Sequence, residues 1–275
     1  MTRRLALCAD DFGRTPAISD TIVELAGAGR LGAVSCLVNG PHWPAAALSL
    51  RGCVDRVDLG LHFNLTEGRP LSPELARIWP ELPALPRLIA MAHFERLPRA
   101  ALALEFAAQL DAFTAATGAA PALVDAHQHV HHLPGVRTIV LDAIGRIAPR
   151  PAVRNTGRVI GPGFAVKRAL IERTGGRQLL AQLRSRGFAH NAALTGVYDF
   201  GQVDYRALMR GWLAALPVEG AMLFCHPGAA SSEGAADPIA AARVREAAYL
   251  RSAAFGADLA EAHVELGPVW RAAPA

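Results

Sequence analysis

Residues 5–13 have the sequence Leu-Ala-Leu-Cys-Ala-Asp-Asp-Phe-Gly, an apolar run that ends in two adjacent carboxylates. Thr15 and Pro16 follow at once, and this pair is typical of a helix N-cap and a first helical turn. The segment therefore predicts a buried strand, a loop that carries both aspartates, and a helix over about residues 17–28. A strand that leads directly into a helix is the repeating unit of parallel α/β folds.

The same alternation of apolar runs and amphipathic segments continues along all 275 residues. We predict further strands, separated for the most part by helices, over residues 33–38, 57–65, 123–130, 152–155, 192–197, 221–225 and 264–266. About seven such repeats without an interdomain linker favour an α/β fold of the deformed, TIM-like (β/α) barrel type over an open doubly wound sheet. We expect about seven parallel strands in a single catalytic domain that spans residues 1–275.

Residues 66–98 interrupt this alternation, because six prolines fall within them. A segment of this length and composition between two regular units is predicted to be an insertion into the domain. Its expected role is that of a lid over the site or of a contact in a dimer.

The positive charge of the chain is carried almost entirely by arginine. The chain has 28 lysine and arginine residues against 24 acidic ones, a formal net charge of +4, and Lys167 is its single lysine. The arginines are scattered among glutamates and aspartates, without a basic run of the kind that follows a phosphate backbone. We therefore expect no nucleic-acid partner.

Apolar segments of the chain are too short for a membrane crossing. None reaches the ~20 residues that span a bilayer, and the run at residues 5–9 is shorter than a signal-peptide core of roughly 7–15 residues. Four widely spaced cysteines, without a Cys-x-x-Cys pair, are expected to be reduced and buried. These observations predict a cytoplasmic enzyme without a transmembrane segment.

Carboxylates and imidazoles follow several of the predicted strands. They lie at the ends of the first strand, the third strand, a middle strand and a late strand, and they are Asp10, Asp11, His62, Asp125, His127, His129 and His226. In β/α barrels the carboxyl ends of the strands meet at one face of the fold. These side chains are therefore expected to converge, although they span more than 200 residues of the chain.

The residue types in this group suit a hydrolytic metal centre. Successive side chains of a strand point to opposite faces, so the two adjacent aspartates must diverge, and one can bind a metal while the other faces substrate. On a strand over residues 123–130, Asp125, His127 and His129 would share one face. Two imidazoles and one carboxylate leave coordination positions open, as a catalytic metal site requires.

Each of these residues also has a simpler interpretation when it is taken alone. The acidic pair could cap a helix or lie in a solvated turn, and His62 could be a hydrogen-bonded core residue. The histidines of residues 127–132 could form a surface tract, and His226 could belong to an ordinary turn before Pro227. The convergence of all four segments favours the metal site over these alternatives.

Several short motifs together resemble those of the YdjC-like carbohydrate deacetylases. They are Ala-Asp-Asp-Phe-Gly at 9–13, Leu-Val-Asn-Gly at 37–40, Gly-Leu-His-Phe at 60–63 with Leu65, Thr66 and Gly68, Asp-Ala-His-Gln-His-Val-His at 125–131, and Cys-His-Pro-Gly at 225–228. They occur in the order and spacing of that family. The resemblance implies a deformed β/α barrel, often dimeric, that uses a divalent ion to remove N-acetyl groups from amino sugars.

The resemblance also implies a role for most of the candidate site residues. Asp11, His62 and His127 would be the metal ligands, and Asp10 would be the general base. His226 is the candidate for the acid that protonates the leaving amine.

Three further residues are expected to support this site or to contact substrate. Asp125 could orient a ligating imidazole, as carboxylates commonly do next to metal-bound histidines. His129 could support the ligands or touch the substrate. Arg154 follows the next short strand, where the family tends to carry an arginine, and it could contact the acetyl group or the sugar, or hold Asp10.

The implied cofactor is one divalent metal ion. Two imidazoles and a carboxylate suit zinc, while magnesium, manganese and cobalt are alternatives. The expected substrate is a small-molecule carbohydrate or a glycolipid with an N-acetylated sugar, and the expected assembly is a homodimer. Ala126 and Ala229 stand where the family commonly has a serine and an aromatic residue, and these departures bear on the choice of substrate.

Two other classes of function stay open at this point. The same centre could serve another metal-dependent hydrolase, either an amidohydrolase or a phosphoesterase. Amidohydrolases usually need a lysine on a middle strand, whereas Lys167 lies in a predicted helix, and phosphoesterases tend to carry more carboxylates for paired metals. A non-catalytic sugar-binding relative is the other class, and the intact acidic pair argues against it.

Overall fold

The computed structural model describes residues 2–53, 55–230 and 237–270, and this part of the chain forms one β-sheet surrounded by helices. Eight strands are described, and all their pairings are parallel. The strands are β1 (Arg3–Phe12), β2 (Ala33–Cys36), β3 (Asp58–Phe63), β4 (Leu123–Ala126), β5 (Ala152–Val153), β6 (Leu194–Thr195), β7 (Ala221–Cys225) and β8 (Val264–Leu266).

Helices connect most of the successive strands. They are α1 (Pro16–Gly27), α2 (Trp43–Ser49), α3 (Pro73–Ile78), α4 (Leu85–His93), α5 (Arg99–Thr117), α6 (Val136–Ile144), α7 (Ala165–Ile171), α8 (Arg177–Ser185), α9 (Tyr205–Ala214), α10 (Ala240–Arg251) and α11 (Ala253–Glu261). Short 3₁₀ segments lie at Leu50–Gly52 and His127–His132, and a π-helical turn at Glu172–Gly176 joins α7 to α8.

Strand β1 lies in the middle of the sheet, whose order is β5-β4-β3-β2-β1-β7-β6, with β8 paired to the first residues of β1. Residues 5–12 are all buried, as expected for a parallel strand with both faces covered. Two isolated parallel bridges continue the sheet beyond its edge strands. One joins Val153 of β5 to His190, and the other joins Leu194 of β6 to Val159. The predicted deformed barrel of about seven parallel strands is confirmed.

A bulge near the end of β1 separates the two adjacent aspartates. The register with β2 shifts between Ala9 and Phe12, and Asp11 has a φ of 67°. Aspartate adopts this left-handed conformation more readily than most residues, because its short side chain can form local hydrogen bonds. Asp10 and Asp11 accordingly reach different partners, Arg154 and Arg243.

The predicted strand over residues 123–130 is wrong beyond Ala126. Strand β4 ends there because its neighbour β3 ends at the paired residue, Phe63, so the chain has no further ladder partner on that side. The chain instead turns into the 3₁₀ segment, where His129 has a left-handed φ of 61°. His127 and His129 therefore do not share a strand face.

The alanine-rich residues 238–255 do not form one continuous helix. Helix α10 ends at Arg251, and Ser252, whose ψ is 156°, is extended before α11 begins. The Ser252 hydroxyl donates to the carbonyl oxygen of Tyr249 at 2.7 Å, one of the local hydrogen bonds by which serine competes with helix formation.

The Pro-rich segment at residues 66–98 contains α3 and α4 and packs into the main core. Leu75 and Leu88 are fully buried there. The Glu105 carboxylate of α5 accepts hydrogen bonds from the backbone N–H groups of Leu71 and Ser72 at 3.0 and 2.7 Å. Apolar packing and a buried carboxylate thus tie the segment to the barrel, and its role as a lid or a dimer contact stays a prediction.

Two expectations from composition concern the cysteines and the membrane. All four cysteines are buried and unpaired, as predicted. Among the described residues, no helix combines the length and the apolar character that a bilayer crossing requires.

Gly196 lies where the end of β6 meets β7, and its replacement by alanine is expected to destabilise the fold. Its φ is 107°, and an added Cβ would lie 2.4 Å from the carbonyl oxygen of Phe224. Backbone strain and displacement of that carbonyl together should lower the free energy of unfolding by about 3 kcal/mol. Urea denaturation measures this loss.

Gly29→Ala is the matched control for this variant. Gly29 also has a positive φ, 68°, but among the described residues beyond its chain neighbours nothing lies within 4 Å of its added Cβ. It should lose only about 1 kcal/mol, the cost of the backbone conformation by itself. Equal losses in the two variants would show that contact with Phe224 plays no part.

Candidate metal centre

Asp11, His62 and His127 lie together at the carboxyl ends of β1, β3 and β4. The Asp11 Oδ1 atom is 3.0 Å from His127 Nδ1 and 3.5 Å from His62 Nε2. One possible ligand atom from each of the three residues lies within 4.8 Å of the other two. Asp11 and His62 are buried, whereas His127 is partly exposed toward a cavity. The structure thus brings together three residues from distant segments that the sequence singled out as ligands.

His62 is oriented by Asp125, which lies beside it on β4. The two residues are register partners in the β3–β4 ladder, and His62 Nδ1 lies 2.7 Å from Asp125 Oδ1. The Ser35 hydroxyl donates to the same oxygen. An ionised carboxylate can only accept, so His62 donates its Nδ1–H to Asp125, which leaves Nε2, on the side of Asp11, as the nitrogen available to a metal. Metal-bound histidines are commonly supported in this way.

The carboxylates around the two imidazoles favour a positive charge at this point. Burial by itself would lower the pKa of His62, but Asp125 and Asp10 raise it to about 10. Burial would also lower the pKa of His127, which Asp11 raises above its usual value. Two ring nitrogens and one carboxylate oxygen, in a site that attracts cations, fit a divalent ion with open coordination positions.

The second oxygen of Asp11 binds a buried arginine. Arg243 of α10 donates from Nη2 to Asp11 Oδ2 and from Nε to Asp237 Oδ2, each at 2.6 Å. Burial would raise the pKa of Asp11, but Arg243 and His127 hold it well below its usual value. Asp11 is therefore ionised, with one oxygen on the guanidinium and the other facing the imidazoles. No sequence signal marks Arg243, which is one of several arginines in an alanine-rich helix.

Asp10 is held by Arg154 through two hydrogen bonds. Nη1 and Nη2 of the guanidinium lie 2.7 and 2.6 Å from the two carboxylate oxygens. Arg154 also contacts Asp125 and is itself buried. From the sequence, Arg154 could contact the acetyl group, the sugar or Asp10, and the structure contains the contact with Asp10. A bidentate pair of this kind fixes the orientation of the carboxylate.

A second group of possible ligands consists of Cys8, Asp10 and Asp125, whose polar atoms also lie within 4.8 Å of one another. The guanidinium of Arg154 already lies among them, 3.5 Å from Cys8 Sγ and in contact with both carboxylates. Burial raises the pKa of the Cys8 thiol well above its usual value, so the thiol is neutral. Since the arginine already compensates these carboxylates, the group of Asp11 is the better candidate for a metal.

His226 follows β7 and lies between two phenylalanine rings. Its ring centroid is 5.4 Å from that of Phe200 and 5.6 Å from that of Phe224, and both contacts are nearly perpendicular. Its backbone N–H donates to Glu246 Oε2 at 2.6 Å, and the Tyr198 hydroxyl donates to the other carboxylate oxygen. Desolvation lowers the pKa of His226 to about 4, so the resting imidazole is neutral. Sequence reasoning missed Glu246, a single carboxyl group in an ordinary helix pattern.

Glu246→Gln is expected to flatten the dependence of stability on pH. Burial raises the pKa of Glu246 from 4.5 to about 7, so the folded protein holds this proton more tightly than the unfolded chain. The resulting stabilisation is complete below a pH of about 4.5 and is lost as the pH rises through about 7. From pH ~4 to ~8 the free energy of unfolding of the wild type should therefore fall by roughly 3 kcal/mol relative to the variant.

Urea denaturation of both proteins at several pH values gives this difference. Glutamine keeps an acceptor for the His226 N–H and can donate to the Tyr198 hydroxyl, so the variant should fold. Glu261→Gln, at an exposed position of α11, is the control and should follow the wild type. A constant difference between Glu246→Gln and the wild type across this range would contradict the raised pKa.

His129 does not belong to the ligand group but lines the same cavity. Its ring lies 5.1 Å from that of Phe224 and is nearly perpendicular to it. Within the part of the chain that the structure describes, its buried Nδ1 atom has no hydrogen-bond partner. The residue lines the cavity but its Nδ1 atom is buried, so a contact of His129 with the substrate or with the ligands stays a prediction.

His131 and His132 hold the segment that carries Arg154. His131 donates from Nε2 to the Arg154 carbonyl oxygen at 2.9 Å, and His132 Nδ1 lies 2.9 Å from Thr156 Oγ1. Both histidines are buried. The sequence showed them only as part of a histidine tract, because these contacts depend on how the 3₁₀ segment packs on the residues after β5.

The candidate ligands open onto a cavity of about 490 Å³. Its polar wall contains Arg14, Glu67 and Asp237 together with these site residues: Asp10, Asp11, His62, His127, His129, His226 and Arg243. Another part of its wall is apolar and consists of Leu85, Leu170, Ile171, Val197, Phe224 and Ile239. A cavity of this size and mixed character is typical of small-molecule sites.

The chain matches the model of a known protein family over most of its length. A model of the family described as YdjC-like protein matches residues 4–261. The chain belongs to the YdjC-like family. The match confirms the family that the sequence motifs predicted.

Curated relatives of this YdjC-like protein carry deacetylase names. The carbohydrate deacetylase of Mus musculus is 39% identical over 164 residues, which make up 56% of this chain and 52% of the mouse protein. The chitooligosaccharide deacetylase of Escherichia fergusonii is 34% identical over 147 residues, which make up 51% of this chain and 55% of that protein. This YdjC-like chain thus spans about half the length of the curated relatives it matches.

A solved structure agrees with the fold of this YdjC-like protein. A protein from Enterococcus faecalis, provisionally described as a cellobiose-phosphate cleavage protein, superposes with a TM-score of 0.74. The superposition covers 98% of both chains at 18% identity, so the likeness shows the fold alone.

Proposed function

We propose that this YdjC-like protein is a metal-dependent deacetylase that removes the N-acetyl group of an amino sugar and releases acetate and a free amine. The acetylated sugar is part of a small carbohydrate, an oligosaccharide or a glycolipid. One observation carries this proposal: ligand atoms of Asp11, His62 and His127 meet within 4.8 Å beside the cavity that Asp10 and His226 also line. The deacetylase names of the curated relatives support the same substrate class.

Asp11, His62 and His127 would hold one divalent ion, which is zinc or magnesium, with manganese and cobalt as alternatives. When bound, such an ion polarises a carbonyl group and lowers the pKa of water. In holding the ion, Asp11 would supply one negative charge, and the two histidines would each release a proton and supply a neutral nitrogen donor. Substrate can approach them because the cavity opens beside His127.

Asp10 is the proposed general base. Arg154 binds both of its oxygens and fixes the direction of the carboxylate, while Oδ2, which accepts from Arg154 alone among the described residues, keeps a further lone pair for the proton of an attacking water. The bulge in β1 turns Asp11 toward the imidazoles, so Asp10 lies next to the ligand group without belonging to it. Attack of water on the amide carbon with proton transfer to Asp10 is ordinary general-base catalysis.

His226 is the proposed acid that protonates the leaving amine. It leaves β7 at the level of Asp10, since Ala9 and Cys225 are register partners. Its resting imidazole is neutral, because desolvation lowers its pKa to about 4. Negative charge that develops on the substrate would raise the pKa of this ring, so that it takes up a proton from bulk water and passes it to the amine nitrogen as the C–N bond breaks, while Asp10 releases its proton to bulk water.

The cavity walls suit an acetylated sugar that also makes apolar contacts. Phe224, Val197 and Ile171 provide a surface for the C–H face of a sugar ring or for an apolar group attached to it. His129, whose ring packs edge-on against Phe224 in the same wall, is proposed to contact a polar group of the same substrate. This combination is compatible with both oligosaccharides and glycolipids.

The described geometry favours deacetylation over the other hydrolase classes. Lys167 lies on α7, and its Nζ donates to the Tyr198 carbonyl oxygen at 2.6 Å, so it does not join the ligand group as the lysine of an amidohydrolase would. The carboxylates of Asp10 and Asp125, which could serve a second metal in a phosphoesterase, are bound to Arg154 instead. A homodimer and a cytoplasmic location stay predictions.

Acetate release from a panel of N-acetylated compounds tests the proposed function. The panel contains N-acetylglucosamine, N-acetylated chitooligosaccharides and a glycolipid with an N-acetylated sugar. Each is offered to metal-depleted protein and to protein reloaded with zinc, magnesium, manganese or cobalt. We expect acetate and free amine from the reloaded protein only. Metal binding without acetate release from any compound would indicate a non-catalytic sugar-binding relative, and hydrolysis of phosphate esters instead would indicate a phosphoesterase.

A further inference from the structure

We propose that Glu67 positions His127 for metal binding in the way that Asp125 positions His62, an inference that rests on the metal centre of the proposed function. His127 presents its two ring nitrogens to different carboxylates. Nδ1 lies 3.0 Å from Asp11 Oδ1, and Nε2 lies 3.2 Å from Glu67 Oε2. Glu67 is therefore on the side of the ring that faces away from the ligand group.

The positions of the ring protons follow from the chemistry of the partners. An ionised Glu67 carboxylate can only accept, so His127 donates its Nε2–H to Glu67, and Nδ1, on the side of Asp11, is the nitrogen that would release its proton when a metal binds. His62 does the same with its nitrogens exchanged, because its Nδ1 donates to Asp125 and its Nε2 faces Asp11. Each candidate histidine ligand thus has its own supporting carboxylate. One carboxylate comes from β4, and the other comes from the start of the Pro-rich segment.

Arg14 holds the Glu67 carboxylate in the orientation that this contact needs. Nε and Nη2 of Arg14 both lie 2.8 Å from Glu67 Oε1, which leaves Oε2 to His127. The same guanidinium reaches Asp237 Oδ1 at 3.0 Å. Burial would raise the pKa of Glu67, but His127 and Arg14 lower it below its usual value, so the carboxylate is ionised.

Two asparagines fix the backbone at Glu67. The Asn64 side-chain oxygen accepts from the backbone N–H groups of Thr66 and Glu67 at 2.9 and 3.1 Å. The Asn64 amide nitrogen donates to the Glu67 carbonyl oxygen at 2.7 Å and to Asn39 Oδ1 at 2.9 Å. Asn64 is fully buried and follows His62 by two residues, so the loop that presents Glu67 is anchored directly beside a candidate ligand.

A surface ion pair with Arg14 is the simpler role for Glu67, whose side chain is 38% exposed. Exposed ion pairs contribute little to stability and have no effect on a metal. The two roles therefore predict different results. A positioning carboxylate changes the affinity for the metal while the metal-free protein keeps its stability, whereas a surface pair changes neither by much.

Glu67→Gln in the metal-depleted full chain tests this inference with Zn²⁺ alone as the probe. Competition with a chromophoric chelator gives the dissociation constant of Zn²⁺ for the wild type and the variant. We expect the variant to bind Zn²⁺ about 10–100-fold more weakly, as is typical when a carboxylate behind a ligating histidine is lost. Its melting temperature without metal should lie within a few degrees of that of the wild type, since a partly exposed ion pair contributes little to stability. Glu67→Ala, which removes the acceptor altogether, should bind Zn²⁺ at least as weakly.

Glu24→Gln is the matched control. Glu24 forms a comparable pair with Arg251 at 2.8 and 2.6 Å outside the cavity, and its variant should bind Zn²⁺ like the wild type. Unchanged Zn²⁺ affinity in Glu67→Gln would overturn this inference alone, and a raised KM in that variant would make Glu67 a substrate contact instead. Failure of the wild type to bind any metal would overturn the proposed function as well, and this result is seen before any variant is compared.

Discussion

Replacing Asp11 with alanine should abolish metal uptake and acetate release together. Asp11 supplies the carboxylate of the ligand group, and its Oδ1 atom faces both His62 and His127. Without it, the Arg243 guanidinium would lie near two imidazoles with no negative charge between them. We expect Zn²⁺ affinity to fall below detection and turnover to fall by ~10³-fold or more, since a metal ion contributes several kcal/mol to such a reaction.

Asp11→Asn and Asp237→Asn separate loss of the ligand from loss of the fold. Asparagine tolerates the left-handed φ of 67° at position 11 and keeps the size of the side chain, but it is a poorer ligand, so Asp11→Asn should fold and bind metal weakly. Asp237→Asn removes the other partner of Arg243 and leaves every proposed ligand in place, so it should still take up metal. Metal analysis, thermal unfolding and the acetate assay measure these effects. A full complement of metal in Asp11→Ala would show that the ion binds elsewhere.

The positions of the main strands could be predicted because apolar runs mark the buried strands of a parallel sheet. Strands β7 and β8 have the predicted bounds, residues 221–225 and 264–266. The rule that reactive groups gather at the carboxyl ends of the strands then predicted that Asp11, His62 and His127 would meet. Their distances in the structure agree with that expectation.

The turn after β4 could not be predicted from periodicity. Residues 123–130 have a pattern compatible with one strand, but the length of β4 is limited by its neighbour β3, which ends at Phe63. This limit is set by β3, so the sequence of residues 123–130 does not reveal it. His127 still lies at the site because it is the first residue after the strand, whereas His129 leaves the ligand group.

Arg243 and the glutamates around the site were beyond sequence reasoning for a different reason, whereas the family resemblance had singled out Arg154. Arg243 reaches Asp11 across 232 positions of the chain, and Glu246 reaches the backbone of His226 across 20. Before the chain folds, such residues are indistinguishable from those on a solvated helix face or loop. In the folded protein each adjacent aspartate has its own guanidinium from a different segment. Because different guanidinium groups bind the two carboxylates, Asp11 keeps its Oδ1 atom facing the imidazoles. The carboxylate of Asp10 is held in one orientation beside them.

Asp10→Asn should leave the metal bound and lower turnover by ~10²-fold or more, the loss expected for a general base. The amide has nearly the size of the carboxylate and keeps one oxygen for Arg154, but it does not take a proton from water. Arg154 retains Asp125 as an ionised partner, so we expect the variant to fold. Zn²⁺ affinity should match that of the wild type, because Asp10 lies outside the group formed by Asp11, His62 and His127.

The turnover number at saturating Zn²⁺ and substrate and the Zn²⁺ dissociation constant together show whether Asp10 acts as a general base or as a metal ligand. Asp142→Asn is the matched control, since Asp142 pairs with Arg186 at 2.9 Å on the surface and its loss should change neither quantity. Full turnover by Asp10→Asn would remove Asp10 as the base, because a neutral amide cannot fill that role. Loss of the metal in this variant would instead place Asp10 among the ligands. A variant that binds Zn²⁺ normally and turns over slowly is the result that only a proton-transfer role predicts.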